Sequence, residues 1–389
     1  MTASDDEHVE RWDLYCRVVD NYGDIGIAWR LARQLTRADR EVRLRVDDLH
    51  AFACIEPRVD ADAPHQRIAA IEVIDWDHRD EARVAPADVV VELFGCGLPQ
   101  QTIEGMAREN TRAPIWIDLE YLSAETWVDD FHGRPSPHPT LPLVKHFFYP
   151  GFSPRTGGLL IEAGLDDRRR AFLEDADEVD ALWRRLHLPP RAANEKRVSL
   201  FAYPGDAVKP LFGAMASDPD VRWTVVVLNG GLAREPETCA VEERGALSIF
   251  TIPFIAQDDY DRLLWSCDIN FVRGEDSFVR AQWAARPFVW HIYPQADDVH
   301  LAKLDAFADR YEAGLPDAAR DAQRALWHTW NARDTVAAEH LQAAWTRWCD
   351  VLPELAAHAE VWRQNLASHA GLVDCLTAFV AERRAALLK

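Results

Sequence analysis

The stretch "YCRVVDNYGDIGIAWRLARQL", residues 15–35, carries the first decision about the fold. The apolar run "LYCRVVD" (14–20) reads as a buried strand, and an amphipathic helix is expected from about Ile25, after a turn that holds Gly23 and Gly26. Strand, tight turn and helix in that order open a βαβ unit. The charge of the turn is unusual for such a unit. Asp20 and Asp24 occupy positions where nucleotide-binding proteins keep glycines and free amides for a phosphate. Ligands of open α/β sheets bind beyond the carboxyl ends of the strands. Carboxylates placed there repel a phosphate, but they welcome a cation or take a proton from a nucleophile. The plainer alternative is local: Asp24 caps the helix and Asp20 ends the strand in an Asx turn. The glycines do not form GxGxxG, and no GxxxxGK[ST] occurs anywhere, which disfavours dinucleotide binding and P-loop hydrolysis.

Flanking segments repeat the alternation. "EVRLRVDD" (41–48), "DVVVELFG" (88–95) and "APIWIDLEY" (113–121) read as strands separated by helical patterns, the signature of a parallel α/β sheet. "LHLPPRAANEKR" (186–197) combines a Pro-Pro pair with polar residues and reads as a linker. A second series follows in "VSLFAYPG" (198–205), "WTVVVLNGG" (223–231), "LSIFTIPF" (247–254), "CDINFVRGED" (267–276) and "PFVWHIYP" (287–294). Two Rossmann-like halves are expected, one over 1–186 and one over 198–360, joined by a linker over 187–197. Closing helices over 361–389 can pack against either domain, a return to the N-terminal one included. Trp345, Trp348 and Trp362 fall at near-helical spacing and are expected in a core.

Composition narrows the function. A chain of 389 residues is long enough for more than one core, and its net charge of −21 disfavours a grip on nucleic-acid backbone. Seven cysteines without any CxxC pair suggest reduced thiols, with neither a zinc site nor a disulfide framework. An acidic N-terminus and the lack of any run of about 18 apolar residues lead to the expectation of a soluble, cytoplasmic protein without membrane contact. Asp297 and His300 stand three apart, but first-turn helix acids explain such a pair better than a metal does.

A phosphate site is expected in "DINFVRGEDSFVRAQW". The strand runs into Arg273, Gly274, Glu275, Asp276 and Ser277 before a helix. Helix amides, the Ser277 hydroxyl and the Arg273 guanidinium suit a diphosphate, while Glu275 and Asp276 can accept sugar hydroxyl protons. Ordinary capping and a surface ion pair are the competing reading. Phe201 and Tyr203 in "FAYPG", with Phe254 and Gln257 in "PFIAQDDYD", can stack on a base and read its edge.

Together "VVDNYGDIGIAWRLARQL", "VELFGCGLP", "WIDLEYLSAE", "FFYPGFSPRTGGLL", "PFIAQDDYDRLLWSCDINFVRGEDSFVRAQWA" and "PFVWHIYPQADDVHLAKLDAF" resemble the bacterial protein-arginine rhamnosyltransferases that modify elongation factor P. The resemblance implies an α/β GT-B glycosyltransferase, two facing Rossmann-like domains with a helical C-terminal segment, in which 1–186 is the acceptor-side domain and 198–360 the nucleotide-sugar domain. It implies an inverting transfer of L-rhamnose from TDP-β-L-rhamnose to an arginine in the N-terminal domain of elongation factor P, releasing TDP and activating the factor to relieve stalling at polyproline. No cofactor and no metal ion are implied. Carried over by position, the paired aspartates fall on Asp20 and Asp24, with Asp24 as the base. The donor-binding groups fall on Phe201, Tyr203, Phe254, Gln257, Arg273, Glu275, Asp276 and Ser277. Glu275 is also expected to grip the sugar or the acceptor. Two other functions fit the same residues: a glycosyltransferase with a different donor or acceptor, and a non-catalytic nucleotide-sugar sensor or scaffold.

Overall fold

The computed structural model describes residues 9–19, 22–36, 40–76, 87–108, 113–228, 240–295, 298–332 and 337–387. The chain forms two compact units, Met1–Glu162 with His369–Lys389, and Ala163–Ser368. In the first unit the strands are β1 (Glu10–Cys16), β2 (Arg40–Val46), β3 (His65–Ile68), β4 (Ile71–Asp75), β5 (Val89–Leu93), β6 (Ile115–Leu119), β7 (Pro135–Pro137) and β8 (Val144–Phe148). They pair in the order β3-β4-β2-β1-β5-β6-β8-β7. All neighbours are parallel except the outer hairpins β3–β4 and β7–β8. Helices α1 (Gly23–Leu35), α2 (Leu49–Ile55), α3 (Gln100–Arg108) and α4 (Val128–Phe131) fill the connections.

β5 and β6 are buried at every position, as expected of Val/Ile-rich strands covered on both faces. Leaving out the outer hairpin strands β3 and β7, the spatial order runs third, second, first, fourth, fifth, sixth in chain order. This doubly wound arrangement reverses direction between β1 and β5. Charge is buried in this sheet as well: Asp13 on β1 accepts from Arg43 and lies 3.4 Å from Arg45 Nε, both on β2.

In the second unit, α5 (Leu165–Glu174) and α6 (Ala176–Arg185) precede β9 (Glu195–Leu200), α7 (Val208–Ala216), β10 (Arg222–Leu228), β11 (Ala240–Arg244) and β12 (Leu247–Ile252). Then come α8 (Gln257–Ser266), β13 (Ile269–Arg273), α9 (Asp276–Ala284), β14 (Phe288–His291) and α10 (Val299–Tyr311). Helices α11 (Asp317–Trp330), α12 (Ala338–Asp350), α13 (Leu352–Ala367) and α14 (Leu372–Leu387) complete the chain. The sheet order is β11-β12-β10-β9-β13-β14, antiparallel only at β11–β12, and it reverses between β9 and β13. Trp345 and Trp348 are buried, and Trp362 is half-buried with its ring 5.3 Å from that of Tyr311.

The units divide at Glu162 rather than at the Pro-Pro segment, and side-chain packing explains why. Phe172 of α5 lies 5.8 Å from Trp265 of α8, and Arg185 of α6 bonds Asp259 at 2.7 Å, which ties both helices to the second sheet. The Pro-Pro segment itself is held: buried Arg197 stacks 4.2 Å over Trp183 and donates to the Pro189 carbonyl at 2.8 Å. The chain returns to the first unit at His369, later than residue 361. There Leu372 N donates to Leu159 O at 2.8 Å, and Phe379 of α14 packs 5.6 Å from Phe148. Among the described residues no helix is long and apolar enough to cross a membrane.

Helix α9 carries the turn that ends β13, and a buried bidentate pair fixes it to α8. Arg280 donates to both oxygens of Asp261, at 2.8 and 2.7 Å. Removing one partner of such a pair strands a buried charge, so Asp261→Ala is expected to destabilise the second unit by about 3–5 kcal/mol in denaturant titration. A loss below about 1 kcal/mol would contradict that role.

Candidate active site

In the first unit Asp24 stands just beyond the carboxyl end of β1, where the strand order reverses. Helix α1 begins at Gly23, two residues earlier than the sequence suggests, so Asp24 lies within the first turn instead of at the cap. Its carboxylate accepts from the backbone N–H of Val19 at 2.9 Å and from the Tyr121 hydroxyl at 3.2 Å. The side chain is only 2 % exposed. Burial of an ionised carboxylate is costly, and these donors with the positive end of α1 compensate it. The result is an oriented carboxylate at a strand end. Asp20 lies outside the described residues, as does Asp297.

The second unit assembles its groups at the equivalent reversal. Phe201 and Tyr203 follow β9, and Arg273 ends the neighbouring β13. The Arg273 guanidinium lies 4.1 Å from the Phe201 ring centroid and 4.9 Å from that of Tyr203, and it donates to the Ala202 carbonyl at 3.3 Å. Stacking on two rings helps to hold this cation at 7 % exposure. Phe254 meets Phe201 edge-on at 5.9 Å. Gln257, the first residue of α8, points its amide at Asp276 across a long 3.5 Å contact.

Gly274 makes the turn possible, with φ of +59°, in the left-handed region that glycine enters without strain. Its carbonyl accepts from the Trp290 indole at 2.8 Å, and its N–H donates to the His291 carbonyl at 3.2 Å. Ser277 also serves its own backbone turn. Its hydroxyl accepts from Arg273 N at 3.0 Å and donates to the Arg273 carbonyl, so it closes the turn. Glu275 stands at the N-cap position of α9 without capping it through its side chain, and Asp276 is in the first turn.

Two contributors escape the sequence reading. His291, at the end of β14, accepts the Tyr203 N–H on Nδ1 at 3.2 Å, and its ring stands edge-on to Tyr203 at 5.2 Å. Burial first, then Arg273 and His300, push its pKa down to about 4, so it is neutral near pH 7. Tyr203, Asp206, His291, His300 and Asn331 line a cavity of about 290 Å³ beside the stack. His300 itself is buried and accepts Gln295 N at 3.3 Å. The second contributor is Tyr121, which holds Asp24. Both residues sit in apolar strand-end text where an aromatic or histidine reads as core.

A family profile described as "Elongation-Factor P (EF-P) rhamnosyltransferase EarP" matches residues 12–381. A protein-arginine rhamnosyltransferase of Pseudomonas aeruginosa is 44 % identical over 381 residues, covering 95 % of this chain and 99 % of the relative. The Pseudomonas putida protein of the same name is 44 % identical over 380 residues, covering 95 % and 98 %. A solved structure described as the structural basis for EarP-mediated arginine glycosylation of translation elongation factor EF-P superposes with a TM-score of 0.64 at 32 % identity, covering 96 % of this chain and 99 % of that one. The two doubly wound units and the helical C-terminal segment are those of the GT-B glycosyltransferase fold. The chain belongs to the EarP family of elongation-factor-P rhamnosyltransferases.

Proposed function

We propose that this enzyme transfers L-rhamnose from TDP-β-L-rhamnose to an arginine of elongation factor P in the cytoplasm, with inversion at the anomeric carbon and without a metal ion, and so equips the factor to relieve stalling at polyproline. The observation that carries this reading is the oriented Asp24 carboxylate at the end of β1, in a chain of this family. A guanidinium is a poor nucleophile because its lone pairs are delocalised and its pKa exceeds about 12. A carboxylate bonded to the attacking N–H localises electron density on that nitrogen and takes the proton as the C–N bond forms. Asp24 has this role, and Asp20 orients the guanidinium or the turn.

Donor binding falls to the second unit. Aromatic surfaces of Phe201, Tyr203 and Phe254 receive the thymine, and the Gln257 amide reads its edge. Arg273, backed by the two rings beneath it, and the amides that open α9 stabilise the charge that grows on the departing TDP. Ser277 supports this indirectly by fixing the Arg273 backbone. Glu275 and Asp276 accept hydroxyl protons from the sugar, Glu275 with the acceptor as a further partner.

Asp24→Asn should lower kcat by about 100- to 10,000-fold while TDP affinity, measured calorimetrically, stays unchanged. Near-normal turnover would refute the base assignment. Arg273→Lys keeps the charge but loses the planar stack, and a roughly ten-fold weaker TDP affinity is expected, about 1.4 kcal/mol. Unaltered affinity would remove Arg273 from the diphosphate site.

A further inference from the structure

Resting on the proposed arginine acceptor, we infer that Tyr121, backed by Phe94, forms the surface on which the acceptor guanidinium lies flat while Asp24 engages its edge. Three adjacent strands bring these groups together. Asp24 follows β1, Phe94 follows β5 and Tyr121 lies two residues beyond β6. The Phe94 and Tyr121 rings are stacked, with centroids 4.5 Å apart and planes at 15°. Tyr121 is 38 % exposed, so ring surface remains accessible to a ligand, and its hydroxyl reaches Asp24 at 3.2 Å. A carboxylate at the rim of an aromatic face matches a guanidinium in two ways at once. The face takes the planar cation through its quadrupole, and the carboxylate takes an in-plane N–H.

The backbone beneath the stack is held in a conformation that an aromatic residue adopts rarely. Phe94 has φ of +58° and Gly95 has +59°, so two consecutive left-handed residues re-aim the chain after β5. The surroundings enforce this. Phe94 N donates to Leu119 O at 2.7 Å, Cys96 N to Leu93 O at 3.1 Å, and Gly97 N to the Glu92 carboxylate at 2.9 Å. Glu92 is itself fixed by the Trp116 indole at 3.2 Å and by Lys145 at 3.5 Å. Strain kept in place by this many bonds marks a side chain whose position matters. What it positions here is the ring behind Tyr121. A lysine acceptor would meet the same carboxylate but lacks the planar fork, so the arrangement also favours arginine by shape.

The test is steady-state rhamnosylation of full-length elongation factor P with TDP-β-L-rhamnose, read as acceptor KM and kcat separately, with TDP affinity measured by calorimetry. Tyr121→Leu should raise acceptor KM about ten-fold or more and leave TDP affinity unchanged, whereas Tyr121→Phe, which keeps the face, should hold KM within about three-fold. The phenylalanine variant loses the bond to Asp24, so its defect should fall on kcat. Equal KM increases in both variants, or an unchanged KM in the leucine variant, would overturn the inference. Should the leucine variant fail to fold, Phe94→Leu decides: removal of the backing ring should raise acceptor KM, and an unchanged KM would overturn it. Absence of transfer by the unsubstituted enzyme would instead overturn the acceptor reading, and this inference with it.

Discussion

In each unit the candidate residues are located by the same constraint, the reversal of strand order in a doubly wound parallel sheet. Where successive connections leave on opposite sides, the loops at the carboxyl ends of the two central strands part and leave room for a ligand. Asp24 and Phe94 stand at the reversal between β1 and β5, and Phe201, Tyr203 and Arg273 at the one between β9 and β13. Parallel pairing of Val198 with Ile269 and of Leu200 with Phe271 fixes how far each of these two strands extends. The aromatic pair that follows β9 therefore reaches the height at which β13 delivers its arginine.

The two reversals are provided with opposite chemistry. In the first unit a carboxylate is kept buried and oriented by an N–H, a phenol and the start of α1. In the second a guanidinium is kept on two rings, with a turn locked by Gly274, Ser277, Trp290 and His291 around it. In the proposed reading the first serves a cationic nucleophile and the second a diphosphate. Elsewhere in the chain buried charge is used for structure. Asp261 with Arg280 and Asp13 with Arg43 form tight pairs that hold elements together.

Much of this was legible in the residues. Central strands announce themselves as apolar runs because both faces are buried, and the alternation with helices is enough for two Rossmann-like halves. Outer strands are not legible in the same way. β11 is exposed at every position and β7 is the tripeptide Pro-Ser-Pro, so neither carries an apolar pattern. The unit boundary was hidden because a Pro-Pro pair signals a break in regular structure, not freedom of motion, and here Arg197 pins it. Ser277 shows the limit at the site: its bonds to the Arg273 backbone depend on the three-dimensional turn and are not legible in a serine at a helix start. Tyr121 and His291 were invisible as site residues because nothing in one sequence separates an aromatic at a strand end from a core aromatic.

The central claim is that Asp24 serves an arginine nucleophile of a protein acceptor. The most direct measurement is the intact mass of elongation factor P after incubation with this enzyme and TDP-β-L-rhamnose, beside an acceptor whose target arginine is replaced by lysine. The account predicts a gain of one deoxyhexose on the arginine protein and none on the lysine protein. Equal gain on both proteins, or no gain on either while TDP binding is intact, would contradict it.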